Sequence, residues 1–322
     1  MPGILQRPDS DWSVRSRGLP VVQRTEKAGF WCAGMCEGTV PVEMLEMPAR
    51  AKINITLDVL GLRPDGFHEV EMIMQSVDLH DTVRVSCRQD SRIVLRSDDP
   101  RVPRGEDNLM VRAAQRLRQE AGVPWGAFLE LDKNIPLEAG LAGGSTDAAA
   151  VLMLLNRLWG LHWPLDRLME LGADLGSDVP FCLLGGTALA SGRGERVEPL
   201  PPLTGLQILL VKPPFGVSTA EIYTAFDSLS GQGSIRASRR LMKSGLAKGL
   251  LDLFHNDLQE VTVRLYPEVG RLIGRMTSLG GHGVMTGSGP TVMGLFAQPA
   301  DLQRAREVFA LEYPETFVVR TI

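Results

Sequence analysis

The chain has 322 residues, of which 44% are hydrophobic and 22% charged, with a formal net charge of −4. The apolar fraction excludes wholesale disorder, and the slightly acidic balance gives no electrostatic footprint for nucleic acid or an anionic membrane. The longest apolar run, residues 148–155, is far shorter than the roughly 20 residues that cross a bilayer. Neither a secretory signal nor a disulfide framework is visible. We therefore expect a cytoplasmic protein of one large or two ordinary domains.

Residues 1–43 stand apart from the rest of the chain. They show no sustained hydrophobic period, and their basic and acidic residues cancel. Such a segment cannot bury enough surface to order itself. We expect a disordered, dispensable N-terminal extension, or upstream sequence added by a wrong start site; a regulatory tail is the alternative.

The pattern becomes regular from residue 51 onwards. Apolar residues alternate over 53–59, which predicts a strand, and the Pro and Gly of residues 63–66 predict a turn. A helix is predicted over 108–121, capped by Asp107 and ended by Gly122. Further predicted strands are 70–77, 82–87, 92–96, 127–131, 187–190, 207–211, 284–285, 291–296 and 316–322, and further predicted helices are 146–159, 166–175, 219–226, 251–263, 268–279 and 300–310.

The proline-rich stretch 198–202 is the best candidate for a linker. It divides the chain after the extension into a first domain, 44–198, and a second domain, 199–322. Strands and helices are mixed in both halves, which predicts two α+β or α/β domains.

The strongest chemical signal is the glycine-rich stretch 136–147, which runs directly into an apolar helix. Small residues let a backbone pass close to a ligand, and the unpaired N–H groups of a helix N-terminus favour a phosphate. A tight turn with a Ser or Thr helix cap is the alternative. The stretch is neither a Walker A loop nor a clean dinucleotide fingerprint, because Ala142 interrupts its glycines.

Four weaker signals lie elsewhere, and each has an ordinary structural explanation. The loop 286–289, Thr-Gly-Ser-Gly, is explained equally well by a β-turn. Asp178 precedes Val-Pro and is a typical turn former, and His68 is explained as a surface loop residue. Lys52 stands in a strand, where a buried ammonium needs a partner, although a solvent-facing lysine is the simpler explanation.

Taken in order, these motifs resemble the GHMP kinases over residues 47–322. The resemblance is carried by Pro-Ala-Arg-Ala-Lys-Ile-Asn at 48–54, the glycine stretch before a helix, and Thr-Gly-Ser-Gly at 286–289. The runs AKINITL, RPDGFHEV and GSDVPF, followed by GGTA, are similar to one family of this superfamily, the 4-diphosphocytidyl-2-C-methylerythritol kinases. The Asp-Gly-aromatic-His run is not expected in the sister kinases.

The resemblance implies an α+β fold of two domains with the active site in the cleft between them. The N-terminal domain would be like ribosomal protein S5 domain 2, and the C-terminal domain would be ferredoxin-like. The implied activity uses ATP and Mg²⁺ to phosphorylate the 2-hydroxyl of 4-diphosphocytidyl-2-C-methylerythritol, in the non-mevalonate route to isoprenoid precursors. This small molecule would be the partner of a monomer or homodimer.

The resemblance also implies roles for single residues. Asp178 would take the proton of the attacking hydroxyl, Lys52 would hold Asp178 ionised, and Asn54 would hydrogen-bond in the same pocket. We therefore expect Lys52 and Asp178 to lie within salt-bridge range. The residues expected at the ATP phosphates are Pro136, Gly140, Leu141, Ala142, Gly143, Gly144, Ser145 and Thr146, with Ser145 the candidate on the Mg²⁺ side and the other metal ligands unassigned.

The acceptor would be held by a second set of residues. His68 would read the edge of the cytosine, and Phe67 and Tyr223 would sandwich its face. Gly287 and Ser288 would close over the phosphates or the acceptor.

Three positions depart from the family pattern. Ala142 stands where Gly is usual, Thr146 where Ser is common, and Phe67 where Tyr is common; the methyl of Ala142 is tolerated if its backbone is in the α or β region. One competing interpretation is a kinase of the mevalonate or homoserine type, which would not need Phe67, His68 and Tyr223. The other is a non-catalytic nucleotide-binding relative, which would have lost the base or its lysine.

Overall fold

The computed structural model describes residues 23–24, 44–229, 236–245 and 254–322. Almost all of the predicted N-terminal extension lies outside the described residues. The exception is Gln23–Arg24 (β1), a two-residue strand that pairs with the start of the next strand.

The larger sheet is built on two long antiparallel strands, Met44–Leu62 (β2) and His68–Arg88 (β3). One half of β3 pairs with β6 and the other half pairs with β5. This sheet also contains Ile93–Ser97 (β4), Gly126–Asp132 (β5), Thr187–Gly192 (β6) and Arg196–Pro199 (β7). The prediction of two strands over 70–77 and 82–87 was wrong, because the residues between them stay extended and pair with β2 at Ala49 and Arg50.

Helices cover one face of this sheet. They are Leu109–Ala121 (α1), Gly143–Leu158 (α2), Leu165–Leu175 (α3) and Val179–Leu184 (α4). The apolar residues of α2 are almost fully buried and pack with β2, β3 and β5. The cap of α1 is Asn108 and not the predicted Asp107, since the Asn108 side chain accepts the N–H of Met110, while Gly122 ends the helix at φ 64° as predicted.

The smaller sheet is fully antiparallel and has the order β10-β11-β8-β12. Its strands are Gln207–Val211 (β8), Gly281–Met285 (β10), Val292–Phe296 (β11) and Thr316–Arg320 (β12). The helices of this half are Thr219–Leu229 (α5), Ala237–Ser244 (α6), Gln259–Leu265 (α7), Pro267–Ser278 (α8) and Pro299–Ala310 (α9).

The prediction of one helix over 251–263 was wrong within the described residues. His255–Asn256 (β9) is extended and pairs in parallel with β2 at Thr56 and Leu57, and α7 begins only afterwards. Residues 251–253 lie outside the described part, and the sequence did not predict α6.

The two halves form a two-domain α+β fold and share one apolar core. Met74 and Phe181 from the first half pack in the same cluster as Leu209 and Ile222 from the second. The division between residues 198 and 199 stays a prediction. Within the described ranges, none of the helices is long and apolar enough to cross a membrane.

Candidate active site

Two irregularities in β2 present the first functional side chains. The register against β3 shifts between Arg50 and Lys52 and again between Asn54 and Thr56, and such bulges turn side chains away from the regular alternation. Lys52 and Asn54 are both buried, and the Lys52 Nζ donates to the Asn54 Oδ1 at 2.8 Å. A buried ammonium therefore has one neutral partner on its own strand and needs an anionic one.

Asp178 supplies that anionic partner from the start of α4. Its Oδ2 lies 3.8 Å from the Lys52 Nζ, which confirms the prediction that these two residues come together. The Asp178 side chain keeps 31% of its surface exposed and makes no capping bond to α4. The carboxylate is thus held beside a buried cation and stays open to a second molecule.

The first glycine loop, residues 136–142, lies against this pair. The backbone N–H of Lys52 donates to the Leu141 carbonyl at 3.1 Å. The helix after the loop begins at Gly143, earlier than the predicted residue 146, so Gly143, Gly144 and Ser145 form its first turn. No side chain caps this turn and it holds no acidic residue. The N-terminus of α2 therefore has the properties of an anion site.

Ala142 does not adopt the α or β conformation expected for it. It has φ 57° and ψ 32°, in the left-handed region, where the chain turns from the loop into α2. This conformation costs an alanine about 1–2 kcal/mol. The position demands the backbone of a glycine although it carries a methyl group.

The second glycine loop, residues 286–289, reaches the same place from the smaller sheet. The Asn54 N–H donates to the Thr286 Oγ1 at 2.8 Å. Asn256 fixes this loop, because its Nδ2 donates to the carbonyl oxygens of both Met285 and Gly287 at 2.8 Å. Sequence reasoning missed Thr286 and Asn256 as supports, because their partners are far away in the chain.

Three of the predicted acceptor residues, His68, Tyr223 and Ser288, lie at α5. The Ser288 hydroxyl contacts Thr219, at the start of α5, at 2.8 Å. The His68 ring lies 4.8 Å from the Tyr223 ring at a tilt of 31°, and its Nε2 lies 2.7 Å from the Asp227 Oδ1. Asp227 was not foreseen, because nothing near it in the sequence marks it as a partner of His68.

Phe67 and Tyr223 lie in different surroundings. The Phe67 ring is 50% exposed and carries the Arg193 guanidinium 5.2 Å from its centroid. Tyr223 packs on His68 instead. Burial raises the pKa of Tyr223, and the carboxylates of Asp178 and Asp257 act in the same direction.

The other predicted phosphate-binding residues differ in exposure. Gly144 is exposed and Ser145 half-buried, whereas Pro136, Leu141 and Thr146 are buried. Burial, together with the nearby Asp178 carboxylate, raises the pKa of the Cys182 thiol on α4. The buried side chains shape the loop from behind, and the backbone of the first α2 turn faces outwards.

A buried charge cluster of Asp81, Lys133 and Asp147 lies beneath the first glycine loop and was missed from the sequence. The Lys133 Nζ pairs with Asp81 and lies 3.3 Å from the Asp147 Oδ2. A Cβ placed on Gly143 would lie 2.9 Å from that Nζ. Burial raises the pKa of Asp147 well above its ordinary value, and its Oδ1 has no hydrogen-bond partner among the described residues. The only sequence signal was a carboxylate at the head of an apolar helix.

A second cluster has the composition of a metal site. Ligand atoms of Asp58, His255 and Asp257 lie within 4.8 Å of one another. The two Asp58 oxygens, however, accept the N–H groups of the first two α6 residues, each at 2.8 Å, and Asp257 bonds Val59 and His255. These carboxylates already serve to join β2, β9 and α6.

Comparison with known proteins places this geometry in a family. Residues 108–186 match the GHMP kinases N terminal domain, and residues 234–315 match the GHMP kinases C terminal domain. The GHMP kinases use ATP, generally with Mg²⁺.

Curated relatives resemble the chain over most of its length. A 4-diphosphocytidyl-2-C-methyl-D-erythritol kinase of Pelotomaculum thermopropionicum is 51% identical over 265 residues, 81% of this chain and 91% of the relative. The kinase of the same name from Moorella thermoacetica is 46% identical over 288 residues, covering 87% of this chain and 100% of the relative.

Solved structures agree with these relatives. The crystal structure of a 4-(cytidine 5'-diphospho)-2C-methyl-D-erythritol kinase superposes with a TM-score of 0.71 at 33% identity, over 86% of this chain and 98% of that one. A homoserine kinase from Cytophaga hutchinsonii, 19% identical with a TM-score of 0.68 over 90% of this chain and 97% of its own, shares the fold. With two GHMP domains and relatives of one name at this identity, the chain is an ATP-dependent small-molecule kinase that belongs to the 4-diphosphocytidyl-2-C-methyl-D-erythritol kinase family.

Proposed function

We propose that this chain transfers the γ-phosphoryl group of ATP to the 2-hydroxyl of 4-diphosphocytidyl-2-C-methyl-D-erythritol, a step of the methylerythritol phosphate route to isoprenoid precursors. The observation that carries the proposal is the Lys52–Asp178 pair, 3.8 Å between Nζ and Oδ2, set between two glycine loops. Kinases that phosphorylate an alcohol need a base for the hydroxyl and a cradle for the phosphates, and both elements meet here.

Asp178 acts as the general base. Its carboxylate accepts the proton of the acceptor hydroxyl as that oxygen attacks phosphorus. The Lys52 ammonium lies 3.8 Å from this carboxylate, and Asn54 fixes the ammonium through the 2.8 Å bond from Nζ to its Oδ1. Lys52 is only 5% exposed, so its buried ammonium is held by its two partners, Asn54 and Asp178.

The first turn of α2 holds the ATP phosphates. Its N–H groups lack a side-chain cap, so a phosphate oxygen can take the acceptor's place at the positive end of the helix. These N–H donors fit the oxygens of a triphosphate. Mg²⁺ would supply charge neutralisation for the phosphates, and the half-buried Ser145 hydroxyl on this turn would contribute a ligand to it.

The cytidine of the acceptor binds at α5. His68 hydrogen-bonds the edge of the base, and Phe67 and Tyr223 provide aromatic surface for its face. The Ser288 hydroxyl of the second glycine loop lies 2.8 Å from Thr219 on α5, and Thr286 of the same loop bonds Asn54 beside Lys52. These contacts support a pocket that continues from α5 to the base. The methylerythritol end of the acceptor then reaches Asp178.

The test is ADP release measured with four acceptors under identical conditions. We expect turnover with 4-diphosphocytidyl-2-C-methylerythritol and none above background with mevalonate, homoserine or galactose. Turnover with mevalonate or homoserine alone would assign a sister kinase. ATP binding without turnover on any acceptor would assign a non-catalytic relative.

A further inference from the structure

The hydrogen bond between His68 and Asp227 joins the two halves of the molecule. The Nε2 of His68, at the start of β3, lies 2.7 Å from the Oδ1 of Asp227 on α5. The His68 side chain is only 8% exposed, whereas Asp227 keeps 45%. The Tyr223 ring at 4.8 Å and the Phe226 ring at 6.3 Å flank the imidazole. The imidazole is therefore fixed in one orientation by contacts on α5.

The carboxylate also decides which imidazole nitrogen carries the proton. An ionised carboxylate only accepts hydrogen bonds, so the nitrogen that faces it must donate. In a neutral imidazole this places the proton on Nε2 and leaves Nδ1 as an acceptor. Within the part of the chain that the structure describes, the Nδ1 of His68 has no hydrogen-bond partner. It is also not one of the fully buried unpaired atoms, so a ligand can reach it.

A pyrimidine can be recognised by this single acceptor. Cytosine presents an exocyclic N4 amine, which donates, and uracil presents an oxygen at the same position, which only accepts. An Nδ1 lone pair therefore pairs with cytosine and leaves the uracil oxygen facing another acceptor. An unpaired buried polar group of this kind lowers affinity by about 5- to 150-fold.

We propose that Asp227 is a positioning residue that fixes His68 as the Nε2–H tautomer and thereby makes the acceptor site prefer a cytidine over a uridine diphosphate ester. The inference rests on the proposed function for the place of the base at His68. It goes beyond that function by assigning base selectivity to a residue that need not touch the base.

The test replaces the hydrogen-bond acceptor at position 227 by a hydrogen-bond donor. Asp227→Lys presents only N–H groups to Nε2, which forces the proton to Nδ1, whereas Asp227→Glu keeps an acceptor. We expect the ratio of kcat/KM for the diphosphocytidyl acceptor to kcat/KM for its diphosphouridyl counterpart to fall about 5- to 150-fold in the lysine variant. The glutamate variant should restore the wild-type ratio, and both variants should keep the wild-type KM for ATP.

A second variant on α5 controls for the change of charge by itself. Glu221→Lys reverses a charge on α5 at a side chain that bonds the Tyr266 hydroxyl and not His68. A general attraction for the diphosphate would change both acceptors alike and cancel in the ratio. The selectivity ratio of the Glu221→Lys variant should therefore match that of the wild type.

A spectroscopic measurement tests the tautomer without turnover. The chain has only five histidines, so the ¹⁵N shifts of the His68 ring can be assigned by its loss in His68→Gln. Spectra are recorded at about pH 8, above the ordinary imidazole pKa of about 6.5. The wild-type enzyme should show a protonated Nε2 and an unprotonated Nδ1.

The outcomes separate the two proposals. A protonated Nδ1 in the wild type, or an unchanged selectivity ratio in Asp227→Lys, would overturn the role of Asp227 while turnover of the cytidyl acceptor left the proposed function intact. A wild-type enzyme that phosphorylates neither pyrimidine ester would contradict the proposed function, and the inference about Asp227 would fall with it.

Discussion

Gly140 and Gly287 touch backbone to backbone, although they belong to different glycine loops. A Cβ on Gly287 would lie 2.9 Å from the Gly140 carbonyl oxygen, and a Cβ on Gly140 would lie 2.7 Å from the Thr286 carbonyl oxygen. Both glycines also have positive φ, 74° and 61°. The first and second glycine loops are therefore packed without room for a side chain.

Gly287→Ala should damage both stability and turnover. The alanine must adopt φ 61°, which costs about 1–2 kcal/mol of unfolding free energy, and its methyl displaces Gly140. A shift of about 1 Å between the loops would lower kcat/KM by about 10²-fold. The matched control is Gly274→Ala in α8, where nothing lies within 4 Å of the new Cβ; it should stabilise the fold by about 0.5–1 kcal/mol. Urea unfolding and steady-state kinetics measure both variants. If Gly287→Ala had the stability and the kcat/KM of the wild type, the two loops would be free to move apart.

Ala142→Gly should stabilise the protein. The substitution removes the backbone strain of a left-handed alanine at φ 57°, which costs about 1–2 kcal/mol. Part of this gain is lost because glycine increases the conformational entropy of the unfolded chain. We expect a net gain of about 0.5–1 kcal/mol by urea unfolding. Ala220→Gly, at an exposed position in α5, should have the opposite sign because it lacks the strain. Loss of stability in both variants would refute strain at Ala142.

Asp178→Asn should abolish most of the turnover. The amide keeps the shape of the side chain but cannot accept the proton, and base catalysis supplies about 10²- to 10⁴-fold. We expect kcat to fall by this factor, while the Kd for ATP, whose proposed site is at α2, stays close to that of the wild type. Asp174→Asn is the control, since Asp174 is 63% exposed and pairs with Arg116 at 3.5 Å. Near-normal kcat in Asp178→Asn would remove it from the role of base.

Asp147→Asn should stabilise the protein increasingly as the pH rises. Burial raises the pKa of Asp147 in the folded state above the ordinary carboxyl value of about 3.9, so above about pH 4 the folded chain holds a proton that the unfolded chain has lost. The wild type therefore loses stability with rising pH by at most about 1.4 kcal/mol per pH unit. Asparagine has no proton to lose.

Urea unfolding at about pH 5 and about pH 8 measures this difference. Asp99→Asn is the control with the opposite shift, because hydrogen bonds from Arg101 lower the pKa of Asp99 to about 2. Asp99 stays ionised in both states over this range, so its contribution should be constant. If the difference in unfolding free energy between Asp147→Asn and the wild type did not grow with pH, Asp147 would not be protonated in the folded chain.

Tyr223→Ala and His68→Ala should weaken the acceptor and spare ATP. Stacking on an aromatic side chain is worth about 1–3 kcal/mol per base, so KM for the cytidyl acceptor should rise about 5- to 150-fold. The proposed ATP site is at α2, so the KM for ATP should not change. Trp125→Ala, an exposed aromatic residue before β5, should change neither constant. Weaker ATP binding with an unchanged acceptor would show that the base pocket lies elsewhere.

Local patterns in the sequence sufficed for most of the elements. The alternation over residues 53–59 predicted buried β2, and the glycine at 122 predicted the end of α1 from its freedom at positive φ. Residues 207–211 were predicted as β8 with its observed bounds. Periodicity and turn chemistry belong to each segment by itself, so they can be read without knowing what the segment contacts.

The motifs also indicated the chemistry before any contact was known. Lys52, Asp178 and the two glycine loops were selected as residue types that suit phosphoryl transfer, and their resemblance to a kinase family predicted that the lysine and the aspartate meet. The tertiary structure adds the reason: Lys52 is buried by the bulged strand β2, and a buried ammonium requires the anion that α4 presents.

Only the tertiary structure decided the contacts between distant segments. It merged residues 68–88 into one strand, paired β9 with β2, gave Ala142 a left-handed backbone, and set Asp227 against His68 and Lys133 against Asp81 and Asp147. Each of these features depends on partners supplied when sheets and helices assemble. A local pattern carries no record of such partners, because burial, strain and the proton on a side chain are set by what surrounds it in the folded chain.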